Sequence, residues 1–343
     1  MSQSNFIPTL ADVAKKAGVS TATVSRCLNS PDQLSQATRK KVMSAVAELG
    51  YAPNFNAQSL AARRTNTVGA IIPTMDNAIF ARGLQAFQEE LGNLGKTLIV
   101  ASSSYGPDLE LEHIKTLTAR GADGLLLIGY DRNPEIYNFL KQRNVPSLVA
   151  WAYQTDTDQT SIGFNNEKAI RPLIEEVIAL GHRNIAFISA PKKNNDRARD
   201  RVTGVRMAMQ RAGLDPRSLK LIETPYSIEN GQAAFQKLVA LDCPPTVAMC
   251  GNDVLAAGAI KQAKEMALSV PDYISITGFD DIELASLAEP QLTTVHVPHK
   301  AMGKIAAQML GKMIDQQIVE SQELSTELRL RGTLTTPRAY KLK

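Results

Sequence analysis

Residues 9–29 read TLADVAKKAGVSTATVSRCLN, a stretch that predicts two short helices joined by a tight turn. Thr9 can cap the first helix together with Asp12, three residues later, and Gly18 can end it in the left-handed conformation that glycine favours. The apolar residues after the cap recur at helical spacing and form one face, at Leu10, Val13, Ala14 and Ala17.

Ser20 can cap the second helix, residues 21–29, whose Val24 and Leu28 would face inward. A third helix is predicted from Ser35 to Leu49, and it should stop at Gly50. Two short helices joined by a tight turn and braced by a third are typical of a helix-turn-helix module.

The exposed start of the second helix favours DNA binding. Thr21, Ala22 and Ser25 are small, so the backbone can approach a groove closely, and Arg26 can pair with guanine or with a phosphate. Residues 1–66 carry eight Lys and Arg but three Asp and Glu, a net charge of +5, whereas the remaining chain has a net charge of −1. This asymmetry favours a polyanionic partner. The alternative is a small structural bundle with a solvated polar face.

Residues 51–67, YAPNFNAQSLAARRTNT, connect this module to the rest of the chain. Asn54 can cap a short helix over residues 55–62, but about two turns are not stable alone. The segment is therefore either a flexible linker or a hinge that folds on DNA and inserts Leu60 into the minor groove.

From Thr67 onward, apolar runs typical of buried strands alternate with helical patterns, in two consecutive series. This alternation predicts parallel sheets covered on both faces, arranged as two doubly wound subdomains with a cleft between them. A ligand in such a fold binds beyond the carboxyl ends of the strands.

Signatures of catalysis are missing from this region. The chain contains no dinucleotide-binding or Walker A glycine motif and no nucleophile elbow. His113, His182, His296 and His299 do not form a convincing metal set, and His182 at a helix–strand junction favours a structural hydrogen bond. Asp280 and Asp281 could indicate acid–base chemistry, but ligand hydrogen bonding is the better interpretation. We therefore predict a protein that is not an enzyme and has no cofactor and no metal.

Composition sets the broad class. A length of 343 residues predicts about two domains, and no apolar run approaches the ~20 residues that span a bilayer. With an odd number of three cysteines and no secretory signal, we expect a cytoplasmic protein without a membrane partner.

Four motifs occur in an order and spacing that resemble the LacI/GalR family of bacterial transcription regulators: LADVAKKAGVSTATVSRCLN, ATRKKVMSAVAELGY, PNFNAQSLA and VGAIIP. The resemblance implies that Thr21, Ala22 and Arg26 contact bases in the major groove. It implies phosphate contacts or bracing by Ser20, Thr23, Ser25 and Asn29. In the hinge it implies an intercalating Leu60 and a packed Ala57, with Asn54 at the start of the helix.

Further motifs, including GHRNIAFIS, RVTGVRMAM and CGNDVLAAG, extend the resemblance along the chain and imply a core similar to periplasmic binding proteins. By resemblance, Arg201 would grip an effector, Asn252 and Asp280 would bond its hydroxyl or amide groups, and Tyr226 would stack on it. Ile79 and Phe80 would line the near wall of the cleft.

Two features depart from the family pattern. Trp151 stands where many sugar-sensing members carry an aspartate, which removes a polyol acceptor and adds a flat apolar surface. The segment PKKNNDRARDR, residues 191–201, is interpreted as a loop that brings Lys192, Lys193, Arg197 and Arg199 near the cleft. These charges would favour an anionic ligand such as a sugar acid, or they are simply solvated.

The resulting hypothesis has three parts. Residues 1–52 form a helix-turn-helix DNA-binding domain, residues 53–66 a hinge helix and linker, and residues 67–343 an effector-binding and dimerisation core. Within the core, one subdomain comprises residues of about 67–163 and 297–320, and the other about 164–292 and 323–338.

The predicted function is a repressor that binds a pseudo-palindromic operator in double-stranded DNA as a homodimer, controlled by a sugar, sugar acid or related metabolite. A purine-like co-repressor, a solute-binding protein and a cleft enzyme are the alternatives.

Overall fold

A computed structural model of the chain describes residues 8–29, 31–52, 64–76 and 78–338, which divide into two compact units. The first unit ends at Thr65 and the second begins at Asn66.

The first unit is built from three helices: α1 (Leu10–Ala17), α2 (Thr21–Asn29) and α3 (Gln36–Leu49). The predicted capping box is present, because the Asp12 backbone N–H donates to Thr9 Oγ1 and the Thr9 backbone N–H donates to the Asp12 carboxylate. Gly18 ends α1 with a φ of 66°, as predicted. These local signals explain why the helix boundaries could be predicted.

The helices of the first unit share a small apolar core. Cys27, which the sequence did not mark as inward, is buried there because it follows Val24 on the same face of α2. The buried members of the core are Val13, Ala14, Val24, Cys27, Val42 and Ala45.

The second unit alternates strands and helices. Its strands are β1 (Thr67–Ile72), β2 (Thr97–Ser102), β3 (Gly124–Ile128), β4 (Ser147–Ala150), β5 (Ser161–Gly163), β6 (Ile185–Ser189), β7 (Lys220–Glu223), β8 (Val247–Cys250), β9 (Ser275–Thr277), β10 (Thr294–His296), β11 (Gln322–Glu323) and β12 (Glu327–Arg329). Its helices are α4 (Ala78–Asn93), α5 (Pro107–Ala119), α6 (Pro134–Gln142), α7 (Asn166–Ala179), α8 (Asp196–Arg211), α9 (Ile228–Val239), α10 (Asp253–Glu265), α11 (Glu283–Leu287) and α12 (His299–Ile314).

The strands form two parallel sheets, which confirms the predicted fold class. The first sheet has the order β11-β5-β4-β3-β1-β2 and the second the order β7-β6-β8-β9. Strands β1, β3, β6 and β8 are buried along their whole length, as expected for sheets covered on both faces. In each sheet the strand order reverses direction, which creates the topological switch point where ligands bind in open α/β folds.

Two segments connect the sheets after the last strand of the second sheet. Strand β10 pairs antiparallel with β12, and α12 then packs against α4 beside the first sheet. Strand β11 follows α12 and pairs with β5 at the edge of the first sheet.

Three details differ from the sequence interpretation. Helix α8 begins at Asp196, earlier than predicted, because Asn195 Oδ1 accepts the Ala198 N–H and caps it. The loop assignment for residues 191–201 is therefore wrong from Asp196 onward. Strands β7, β10, β11 and β12 and helices α11 and α12 were not predicted as elements. Strand β7, for example, is a short edge strand with two central apolar residues.

His182 confirms the predicted structural hydrogen bonds. Its Nε2 donates to the carbonyl of Thr335, and its Nδ1 lies 2.8 Å from the hydroxyl of Thr246. Burial lowers the pKa of His182, so the ring stays neutral between the two partners.

Helices α4 and α12 approach each other closely at two glycines. A Cβ at Gly303 would collide with the carbonyl oxygen of Gly83 and would lie 3.1 Å from the backbone nitrogen of Phe87. Backbone atoms cannot move aside as a flexible side chain can, so the contact requires glycine at residue 303.

We expect Gly303→Ala to lower the free energy of unfolding by about 1–3 kcal/mol through overpacking between α4 and α12. The matched control is Gly92→Ala, also in α4, where a Cβ would meet nothing within 4 Å. That change should stabilise the protein by about 0.5–1 kcal/mol, because alanine favours the helix. Chemical denaturation measures both, and equal effects of the two variants would contradict this account.

Candidate functional site

The first unit presents a small, polar surface at the start of α2. Ser20 Oγ accepts the Thr23 backbone N–H at 3.2 Å, and the two hydroxyls lie 2.9 Å apart, so this pair holds the helix start. Thr21 and Ala22 are exposed, and Thr23 and Ser25 are half-buried. Asn29 is the last residue of α2. Asn54, Ala57 and Leu60 lie outside the described residues.

Arg26 is the long cationic side chain of this surface. It is exposed and makes no ion pair with any residue that the structure describes. A guanidinium with free donors next to small side chains suits a base edge or a phosphate.

The second unit contains a cavity where the carboxyl ends of the two sheets face each other. We call it the central cavity. Seven residues predicted from the sequence line it: Ile79, Phe80, Trp151, Arg197, Arg201, Tyr226 and Asp280. Four further residues line it that the sequence did not single out: Tyr105, Phe164, Asn166 and Asn195.

Asn252 is the predicted effector residue that does not line this cavity. Its Oδ1 accepts the Leu255 backbone N–H at 2.9 Å and caps α10. The side chain is 1% exposed, and its Nδ2 has no hydrogen-bond partner among the described residues.

Arg201 is the cation at the floor of the cavity. One guanidinium nitrogen donates to the Tyr226 hydroxyl at 3.1 Å, and the guanidinium lies over the Phe279 ring, 4.5 Å from its centroid. Its Nε has no hydrogen-bond partner among the described residues although the side chain is buried. The guanidinium therefore has one donor that no described residue satisfies.

Asp280 supplies the matching acceptor. Its carboxylate accepts no hydrogen bond from the residues that the structure describes, and the residue is 2% exposed. Desolvation raises the pKa of Asp280 well above its usual range, and the positive charge of Arg201 opposes that rise. A ligand hydroxyl could satisfy both groups, because it can donate to Asp280 and accept from Arg201.

Three residues that line the cavity have a strained backbone conformation. Trp151 has a φ of 60°, Tyr105 of 59° and Asp280 of 106°, all in the left-handed region that side chains other than glycine avoid. Phe80 meets Trp151 edge-on with ring centroids 5.4 Å apart. Such conformations concentrate at binding sites, where the surrounding structure holds them.

Tyr105 is the most informative of the residues that the sequence analysis missed. It follows β2 directly, so the rule that ligands bind at carboxyl ends of strands could have found it. Burial, and secondly its neighbour Tyr226, raise the pKa of its hydroxyl, which therefore stays protonated and can donate to a ligand. Asn166 and Asn195 stand at the starts of α7 and α8, after β5 and β6.

The basic segment near the cavity is largely neutralised. Lys192 pairs with Glu223 at 3.0 Å, Arg197 with Asp196 at 2.8 Å, and Arg199 with Asp131 at 2.7 Å. The excess positive charge that would favour an anionic ligand is therefore mostly absent, and of the predicted cluster Lys193 remains without an ion pair to a described residue.

Several contacts cross the cleft. The Tyr130 backbone N–H donates to Asp196 at 2.6 Å, and Arg199 holds Asp131 with two hydrogen bonds of 2.7 Å. Residues 130 and 131 follow β3 of the first sheet, whereas residues 196 and 199 belong to α8, which follows β6 of the second sheet. These contacts fasten the two sides of the cleft beside the cavity.

A buried imidazole links two walls of the cavity. The Trp151 indole N–H donates to His299 Nδ1 at 3.3 Å, and His299 Nε2 lies 3.2 Å from the backbone carbonyl of Asp280. Desolvation lowers the pKa of His299 to about 4, which its hydrogen bond to the Asp280 carbonyl opposes.

Among the described residues, no cluster of histidine, cysteine and carboxylate side chains could hold a metal ion. In the same part of the chain, no helix has the length and apolar character needed to cross a bilayer.

Two family models match the chain. "Bacterial regulatory proteins, lacI family" matches residues 9–54, and "Periplasmic binding protein-like domain" matches residues 174–334. The first match spans the helix-turn-helix unit, and the second includes part of each side of the central cavity.

Curated relatives match over nearly their whole length. Catabolite control protein A of Priestia megaterium is 32% identical over 313 residues, which cover 91% of this chain and 94% of that protein. The HTH-type transcriptional repressor CytR of Escherichia coli (strain K12) is 32% identical over 328 residues, 95% of this chain and 96% of that protein.

Solved structures have the same architecture. The lac repressor dimer bound to operator and the anti-inducer ONPF superimposes with a TM-score of 0.84 at 29% identity, covering 96% of this chain and 100% of that one. A LacI-family regulator from Silicibacter pomeroyi gives a TM-score of 0.86 at 25% identity, covering 96% of this chain and 99% of that one.

The neutral His299 predicts a dependence of stability on pH. The unfolded imidazole takes up a proton near pH 6.5, whereas the folded one does so only at about pH 4. Its contribution is therefore fully present above pH 6.5 and is lost as the pH falls to about 4, by up to about 3 kcal/mol. Arg82, His296 and Asp281 are the titratable side chains near the ring, and Asp280 faces it through its backbone carbonyl.

The measurement compares the free energies of unfolding of the wild type and His299→Gln between pH 7 and 4. The wild type should lose stability relative to the variant as the pH falls. Asp253, whose pKa desolvation raises to about 7, has the opposite effect, but it is common to both proteins and cancels in the difference. Parallel pH profiles would contradict the prediction.

Proposed function

The chain belongs to the lacI family of bacterial regulatory proteins, and on this premise we propose that it represses transcription as a homodimer on a pseudo-palindromic operator. A small metabolite in the central cavity controls the affinity for DNA. One observation carries the proposal: a helix-turn-helix unit and a cavity with an available guanidinium donor and carboxylate acceptor occur in one chain.

We propose that α2 enters the major groove. Thr21, Ala22 and Arg26, the exposed residues at its start, contact bases. Ser20, Thr23, Ser25 and Asn29 contact phosphates or brace the helix. Asn54, Ala57 and Leu60 belong to a hinge that folds on DNA, with Leu60 inserted into the minor groove. Two copies related by a twofold axis read the two halves of the operator.

In the core, the ligand is a small metabolite rich in hydroxyl groups, a sugar or a related compound. Arg201 donates to it, Asp280 accepts from it, and the apolar face of its ring packs on Trp151, Phe80 and Tyr226. Asn252 does not line the cavity, and its side chain caps α10. The paired basic side chains favour a neutral ligand over a sugar acid, because Arg197 and Arg199 are already matched by carboxylates.

The cavity binds its ligand without converting it, in keeping with relatives that are transcription regulators. The alternatives are not favoured. A solute-binding protein does not require the helix-turn-helix unit. The aromatic residues of the cavity do not favour a purine-like co-repressor, because they can pack equally well on the face of a sugar.

Control by the ligand requires that it bind two states of the core with different affinity. The coupling free energy is then about 1–3 kcal/mol and acts in both directions, so operator DNA changes the affinity for the ligand by the same factor. The contacts between residues 130–131 and α8 differ between such states, because they join the two sides of the cleft.

Arg26→Ala should weaken binding to a preferred operator by about 1–3 kcal/mol and relax the base preference at one position of each half-site. Operators are obtained by selection from a random pool of duplex DNA, and affinities are measured by fluorescence anisotropy. Arg26→Lys is the matched control, because it keeps the charge but loses the planar fork. If lysine restores full specificity, Arg26 contacts a phosphate and not a base.

Trp151 is the only tryptophan of the chain and lines the cavity, so its emission reports directly on occupation. We expect a member of a panel of sugars and sugar acids to change this emission. Arg201→Gln should weaken the affinity for that compound by about 10-fold or more, because a hydrogen bond from a charged donor is lost. Titration of the Trp151 emission measures this affinity.

The control for this experiment is Lys193→Gln, which removes a positive charge from the exposed segment nearby. Its binding should equal that of the wild type. Equal losses in both variants would assign the effect to the general field of positive charge and would contradict a direct contact by Arg201.

A further inference from the structure

Trp151 occupies the junction between the central cavity and the pair of helices α4 and α12. Its indole packs so tightly against Gly83 of α4 that a Cβ there would collide with the ring. Asn166 Nδ2 donates to its backbone carbonyl at 3.2 Å, and the residue is 2% exposed. One part of the ring therefore faces the cavity while the rest is fixed against α4.

The partner of the indole determines a unique proton arrangement. The indole N–H is only a donor, so His299 Nδ1, at 3.3 Å, must accept and carry no proton. The proton of the neutral ring then lies on Nε2, which donates to the Asp280 carbonyl at 3.2 Å. Two hydrogen bonds thus run in one direction from Trp151 through His299 to Asp280.

The two ends of this chain belong to opposite sides of the cavity. Trp151 follows β4 of the first sheet and Asp280 follows β9 of the second, and both line the cavity. The link joins residues that are 148 positions apart in the sequence. A ligand that contacts either end can therefore move the imidazole between them.

The imidazole is not an isolated side chain. His299 is the first residue of α12, directly after β10 and the connection between the sheets. Strand β10 contacts the same site, because the backbone of its His296 forms an isolated β-bridge with Asp280. Since α12 packs on α4 through Gly303 and Gly83, a shift of His299 is passed to a packed helix pair.

We propose that His299 is a positioning residue that converts occupation of the central cavity into movement of α12. This inference rests on the proposed function of the cavity. The neutral ring transmits displacement because it accepts from one side of the cleft and donates to the other. A residue that can do only one of these leaves the sides uncoupled.

Three variants test the chemistry of this link. Glutamine can replace both bonds, because its amide oxygen accepts from the indole and its amide N–H donates to the Asp280 carbonyl. Phenylalanine fills the space and makes neither bond. Asparagine is shorter, so it reaches one partner at most and serves if His299→Phe fails to fold.

The experiment uses the full chain, with the duplex DNA selected from the random pool as the probe and Trp151 emission as the readout. Because the cavity and DNA binding are coupled in the proposed function, DNA binding should displace His299 and change the emission of Trp151 in the wild type. The change should be retained in His299→Gln and lost in His299→Phe or His299→Asn. DNA affinity and the unfolding midpoint should stay similar in the variants compared. A merely structural role of His299 would instead lower the stability whenever the emission change is lost.

The outcomes separate the inference from the proposed function. A wild type that selects no DNA sequence overturns the proposed function itself. A wild type that binds DNA without any change in Trp151 emission overturns the role of His299, as does a response that persists in His299→Phe. Loss of the response in His299→Gln as well would also overturn it, because both hydrogen bonds can be made there.

Discussion

Charges enclosed at the carboxyl ends of the strands must be matched inside the protein, because water is largely excluded there and an unpaired ion is costly. This requirement organises the cleft. Arg132 follows β3, and its buried guanidinium donates to Glu110 at 3.0 Å and to the Tyr137 hydroxyl at 2.6 Å. Arg197 and Arg199 find their carboxylates on α8 and across the cleft. Arg201 and Asp280 form no ion pair with a described residue, and both line the central cavity.

Backbone conformation sets the orientation of three residues that line the cavity. The backbone at Trp151, Tyr105 and Asp280 is held in a left-handed conformation that costs energy of order 1–3 kcal/mol for each residue. Dense packing behind the cavity holds these residues in place, as at Gly83, where the indole leaves no space for a side chain. A ligand then meets groups that are already oriented, so little ordering remains to oppose binding.

A regulator needs two arrangements of similar free energy, and the structure shows where they can differ. The contacts from residues 130 and 131 to α8, and the chain from Trp151 through His299 to Asp280, join the two sides of the cleft at separate points. Helices α4 and α12 are packed backbone to backbone at Gly83 and Gly303. Closely packed elements have discrete alternative arrangements, so the role proposed for His299 requires α12 to shift as a body.

Much of the fold was determined by the sequence alone, because the signals are local. Thr9, Gly18, Ser35 and Gly50 act within a few residues of the helix ends that they set. Uninterrupted apolar runs identified the parallel strands, and residues just after them supplied most of the cavity. Tertiary structure decided which charges pair across the cleft, as Arg199 does with Asp131, and it placed His299 beside Trp151. These contacts join residues tens to more than a hundred positions apart, which no local pattern encodes.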